Sequence, residues 1–249
     1  MKKSDFDKQQ VELSLAEHLF LAQEYEKALD LNLRIGDRLY NLFDFGSALQ
    51  FTERAEICAE KTQIKDKLAS SLHQKGMVLQ SMFRFSEALE SYKQSLEIEK
   101  EIGDRAEEAK TLHQIAMVYQ FTNRFPEALE TYNQSLEIEK EIGNRAGEAQ
   151  TLHQIGSVYQ LTNRFPEALE TYNQSLETEK EIGDKASEAK TIHLIGRIYQ
   201  DANRFQEALQ SYNQSLEIVQ EIGDETGVKV NLMAITALEE KMRQNHIIE

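Results

Sequence analysis

Four histidines, His73, His113, His153 and His193, recur at intervals of forty residues, and Gln80, Gln120, Gln160 and Gln200 keep step with them. Imidazole can act as a base, a metal ligand or a hydrogen-bond partner, and a primary amide both donates and accepts. Metal binding does not fit the spacing. Zinc ligands converge on one ion at about 2 Å, whereas packed helices lie roughly 8 to 10 Å apart. Catalysis lacks its signals too: there is no phosphate-cradling Gly-rich loop, HExxH, CxxC or GxSxG. The many carboxylates also recur every forty residues, as a periodic surface does, so none stands out as half of an acid/base couple. We expect no catalytic residue, no metal and no cofactor.

These residues sit in a repeated block. Residues 105–144 and 145–184 align without gaps and differ only at 107/147, 110/150, 116/156, 117/157, 121/161, 138/178 and 144/184. A fixed period of this length means stacked supersecondary units that bury their apolar faces against neighbours. Within a block, Leu112, Ile115, Ala116 and Tyr119 fall on one stripe of a first helix. After a Thr-Asn break, Pro126 can open a second helix, whose expected buried stripe is Ala128, Leu129, Tyr132, Ser135, Leu136 and Ile142. Gly143 can end it in the left-handed conformation. Asn144, like Asp104, Asp184 and Asp224, suits the N-cap that follows, and Asp104 with Glu107 has capping-box spacing.

The pattern Leu112-x2-Ile115-Ala116-x2-Tyr119, then Phe125, Ala128, Tyr132 and Ser135, resembles the tetratricopeptide repeat in a forty-residue form. It is similar to the repeats of kinesin light chains, spindle-orientation scaffolds and many bacterial repeat proteins. The resemblance implies an all-α solenoid: a right-handed superhelix of antiparallel helix pairs with a concave, ligand-binding groove. Where such repeats often carry Leu-Asn-Asn-Leu-Gly, this chain has Leu-His-Gln-Ile-Gly at 152–156. The Asn residues that often hold a peptide backbone there are replaced.

With two prolines and no Pro/Gly/Ser-rich stretch, no linker is evident, so residues 1–249 read as one domain. Its expected parts are an N-terminal capping helix at 5–22 with Phe6, Val11, Leu15, Leu19 and Phe20 apolar, and repeats at 25–64, 65–104, 105–144, 145–184 and 185–224. A capping helix at 225–245 and a frayed His-Ile-Ile-Glu tail complete it. Glu239, where Tyr199 stands one period earlier, marks the end of the array. A net charge of −15 argues against nucleic acid and anionic membranes as partners. Runs such as Glu137, Glu139 and Glu141 read as a solvated convex face. Lone Cys58 reads as a small buried hydrophobe. Nothing resembles a secretion signal or membrane span, so a cytoplasmic protein is expected.

The side of the first helix away from the core stripe carries the candidate binding residues. Down repeats two to five it presents Ser70, His73, Met77, Gln80 and Ser81; Lys110, His113, Met117, Gln120 and Phe121; Gln150, His153, Ser157, Gln160 and Leu161; and Lys190, His193, Arg197, Gln200 and Asp201. The readings of the histidine column stay open: contact with an extended ligand backbone, or a structural origin in which duplication copied an unimportant His or each His bonds its neighbour along the ladder. Lys110, Lys190 and Arg197 against Asp201 make this face less acidic than the rest, which favours a neutral or acidic peptide. If exposed, the histidines would also add positive charge to the face between about pH 7.5 and 5.5. The expected function is a protein-binding adaptor, monomeric with at most weak self-association. A peptide-responsive sensor that changes curvature and a self-assembling structural protein are the alternatives.

Overall fold

The computed structural model describes residues 3–244, with side chains from Val11 onward. The Phe6 side chain and the His-Ile-Ile-Glu tail lie outside the described residues. Twelve α-helices and no strand are found among those described: α1 (Lys3–Leu21), α2 (Tyr25–Asn41), α3 (Phe45–Thr62), α4 (Lys65–Ser81), α5 (Phe85–Ile102), α6 (Arg105–Phe121), α7 (Phe125–Glu141), α8 (Arg145–Leu161), α9 (Phe165–Ile182), α10 (Lys185–Asp201), α11 (Phe205–Glu221) and α12 (Glu225–Gln244). The fold is all-α, with helices in consecutive pairs joined by short turns that make neighbours antiparallel.

Contacts divide the chain into two compact units, Met1–Thr131 and Tyr132–Glu249, with the boundary inside α7. In the first, α2 pairs with α3 and α4 with α5, while α3 meets α4, α5 meets α6, and α1 lies on α2. In the second, α8 pairs with α9 and α10 with α11, and the next first helix, α10 or α12, packs on each pair.

Turn chemistry explains where each helix stops. Between pairs, Gly103, Gly143, Gly183 and Gly223 adopt φ of 71° to 76°, where a side chain would be strained. Gln63 takes the equivalent place at φ 59°. Within pairs the left-handed residue is Asn123, Asn163 or Asn203, and Asn tolerates that region. Phe43 and Phe83 occupy it in the earlier turns, although an aromatic side chain gains nothing local there. Asp44, Asp104, Asn144 and Asp184 accept from the backbone N–H three residues on, each cap being worth about 1 kcal/mol. The capping box at Asp104 is half formed. The Glu107 carboxylate pairs with Lys110 instead of reaching back.

In the core, Ala88, Ala128, Ala168 and Ala208 are fully buried beside Tyr92, Tyr132, Tyr172 and Tyr212. The Tyr172 ring lies against Gly156, where a Cβ would come within 2.8 Å of it, and Tyr92 lies still closer to Gly76. Two expected stripes need correction. Ile142 is an exposed side chain at the end of the second helix. On α1, Val11 and Leu15 face solvent, while Ala16, Leu13 and Leu19 pack towards Leu31, Ile35 and Phe51.

Candidate ligand-binding face

Within each first helix the candidate residues lie at different depths. Lys110, Gln150, Lys190 and Arg197 are exposed, Met77, Met117 and Ser157 are half-buried, and Phe121 and Leu161 are exposed at the edge. The histidines lie deeper, one of them, His113, fully buried. His73 packs edge-on to Tyr92 with ring centroids 5.5 Å apart, and His153 to Tyr172 at 5.4 Å.

Three of the imidazoles are bonded across a repeat boundary. His73 Nδ1 lies 2.8 Å from Thr111 Oγ1, His153 Nδ1 3.3 Å from Thr191 Oγ1, and His193 Nδ1 2.9 Å from Asn231 Oδ1. The threonine hydroxyls donate onward to a buried carboxyl: Thr111 to Glu99 at 2.9 Å, Thr151 to Glu139 at 3.2 Å, Thr191 to Glu179 at 2.9 Å. A hydroxyl has one proton. With that proton on the carboxyl, Thr111 and Thr191 accept from a histidine whose Nδ1 carries hydrogen. The histidines thus tie one repeat to the next. Burial lowers the pKa of His73, His113 and His153 to about 4 and lowers that of His193 too. At His73, His113 and His153 the expected rise in positive charge down to pH 5.5 therefore does not occur.

The glutamine column is part of the same packing. Tyr92 donates to Gln80 Oε1 at 2.9 Å and Tyr212 to Gln200 Oε1 at 3.0 Å, which leaves the amide N–H groups for other acceptors.

The acidic run Glu137, Glu139 and Glu141, expected on a solvated face, divides by depth. Glu137 and Glu141 are exposed as expected, but Glu139 is buried, as are Glu99 and Glu179. A signal for this was present. Ala88, Tyr92, Ser95 and Glu99 are spaced 4, 3 and 4 on one helix stripe, and repeat five carries Val219 at that phase. Ser95 lies 2.7 Å from both Ala69 O and Glu99 Oε1. The carbonyl can only accept, so it takes the Ser95 proton. The second contact is then best satisfied by a protonated Glu99. Burial acts in the same direction, raising the pKa of Glu99 and Glu179 and lifting Glu139 to about 7.

Beside the Glu99 and Glu179 networks, and beside Val219 at the same phase, a cleft opens between consecutive repeats. The cleft of α4, α5 and α6, about 380 Å³, is lined by Asp66, His73, Glu99, Asp104 and Glu107 among others. The cleft of α8, α9 and α10, about 320 Å³, has Ala146, His153, Glu179, Asp184, Ser187 and Lys190. The cleft of α10, α11 and α12 is apolar, with Leu194, Val219 and Val230 around His193 and Asn231. Among the described residues no group of three or more His, Cys, Asp or Glu is arranged to hold a metal ion, and no helix is long and apolar enough to cross a membrane. Cys58 is buried, which pushes its thiol pKa up to about 11.

The tetratricopeptide repeat family model matches residues 67–141 and 147–221. A comparison with curated protein sequences finds no match. Among solved structures, BtubC (BKLC) from P. vanneervenii superposes with a TM-score of 0.73 at 19% identity, over 86% of this chain and 88% of that one. A Signal Transduction ATPase with Numerous Domains with a tetratricopeptide repeat sensor, from Pyrococcus horikoshii, gives 0.76 at 16% identity, over 92% of this chain and 38% of that one. A Rap protein complexed with Competence and Sporulation Factor gives 0.63 at 12% identity, over 95% and 72%. At these identities the likeness is one of fold.

Proposed function

The chain belongs to the tetratricopeptide repeat family, and we propose that it is a non-enzymatic adaptor whose first-helix faces hold an extended segment of another protein. The supporting observation is the layering of that face. The histidines and tyrosines are bonded internally, the glutamine amides are half-buried beside them, and Lys110, Gln150, Lys190 and Arg197 are exposed. A rigid floor under exposed donors suits an extended backbone, which offers carbonyl acceptors at regular intervals.

On the second unit, Lys190 and Arg197 outnumber Asp201, so the segment bound there is neutral or acidic. A second reading, a peptide-responsive sensor, draws support from the likeness to a repeat sensor and to a Rap protein in complex with a factor. Selection of phage-displayed random twelve-residue peptides tests the binding face. The variant Lys110→Glu, Lys190→Glu, Arg197→Glu should lose the peptides that the unaltered chain retains. Its helicity and melting should stay unchanged, because exposed charges shift stability by under about 0.5 kcal/mol. Equal retention by the triple variant would move binding to another surface.

A further inference from the structure

The three clefts share one architecture and differ in their walls. Where the α8, α9, α10 cleft has Ala146 and Ser187, the α4, α5, α6 cleft has Asp66 and Glu107, and Asp104 stands at its rim. In its floor lies Glu99, only 2% exposed, whose Oε1 serves Ser95 and Thr111 while Oε2 is buried without a partner. An unsatisfied buried carboxyl oxygen destabilises the fold, because it has lost its water without gaining a donor. A donor inserted into the cleft would offset that loss.

We propose that this cleft receives a cationic side chain, arginine or lysine, from the bound segment. The inference rests on the adaptor reading above and adds a charge requirement at one defined place. The chemistry is complementary from each wall. Asp66 contributes from α4, Asp104 from the cap of α6, and Glu107 from its first turn, while Lys110 pairs with Glu107 and Arg105 with Glu108. His73, bonded to Thr111 and buried, stays neutral at neutral pH and does not compete. A guanidinium, with five donors in a planar fork, can bridge Oε2 and a wall carboxylate together. Its arrival favours the ionised form of Glu99, which burial otherwise disfavours. The matching cleft of α10, α11 and α12 has Val219 where Glu99 stands, and Asp224 is the one carboxylate among its lining residues.

The test uses the whole chain, isotopically labelled, titrated with N-acetyl-arginine methylamide and with its uncharged citrulline isostere, following the side-chain signals of Glu99 and Ala69 by NMR. The arginine compound should shift those signals and bind at least about tenfold more tightly than citrulline, as a desolvated charge pair implies. The variant Asp66→Ala, Glu107→Ser carries residues already present in the α8, α9, α10 cleft, so it should fold, and it should lose that preference. Equal binding of the two compounds, no shift at Glu99, or an unchanged preference in the variant would overturn the proposal. Peptide selection separates it from the broader reading. Retained peptides without basic enrichment would sink the cleft assignment and leave the adaptor standing, whereas arginine binding with no peptide retained would do the reverse.

Discussion

His73 Nδ1 lies 2.8 Å from the hydroxyl oxygen of Thr111, a residue 38 positions later, and His153 repeats the relationship with Thr191. The bond spans two repeats and ends on a buried carboxyl, so its two ends titrate in opposite senses.

Replacing Glu99, Glu139 and Glu179 with Gln should stabilise the chain relative to the unaltered one as pH rises. The folded pKa of these carboxyls is raised by burial, to about 7 at Glu139. Their stabilising contribution is therefore full below the unfolded carboxylate range and is lost as pH climbs through the folded value. Melting followed by circular dichroism at pH 5 and pH 7.5 should show the triple variant gaining on the parent by up to a few kcal/mol at the higher pH. A constant difference would mean that these groups ionise freely.

The histidine end behaves the other way. His73 and His153 have folded pKa values depressed to about 4, so their contribution is present above the unfolded value near 6.5 and is lost as pH falls towards 4. His73→Asn with His153→Asn should thus cost stability at pH 7 and recover ground against the parent near pH 4.5. Identical acid limbs for the two proteins would contradict the buried link.

Gly156→Ala should destabilise by about 1 to 3 kcal/mol, since overpacking against a rigid ring outweighs the better helix propensity of Ala. The Tyr172 ring leaves 2.8 Å for the new methyl. Urea titration gives the sign, and a gain in stability would show that the ring can move.

Phe83→Asn should stabilise by about 1 kcal/mol. Phe83 sits at φ 58° with its side chain 78% exposed, in the place that Asn fills at 123, 163 and 203. The loss is one edge contact with Phe85, whose ring centroid is 6.0 Å away. A drop in the urea midpoint would mean that the aromatic contact outweighs the backbone strain.

The fold was readable from the sequence because the period, the left-handed glycines and the N-caps are all local signals in register. At the buried carboxyls residue type and phase disagree: Glu99 lies on the stripe of Ala88, Tyr92 and Ser95, while its charge alone favours solvent. The buried face of α1 is not legible in the sequence, because that helix has no repeat to fix its register and Val11, Leu13 and Leu15 offer competing stripes. The strained turns at Phe43 and Phe83 leave no trace in residue type at all. As for the histidine column, spacing found it, but depth decides its role. Only packed coordinates supply depth.

The constant offset of 38 residues between His73, His153 and His193 and their partners makes the length of the array a free variable. Excising residues 105–144 would bring Thr151 to the distance behind His73 that Thr111 now holds, and to twelve positions behind Glu99. The seam would regenerate its own link, whichever copy supplied the parts. Such a chain can grow or shrink in steps of forty residues without stranding an imidazole or a buried acid, which gives it a one-step route to a longer or shorter ligand.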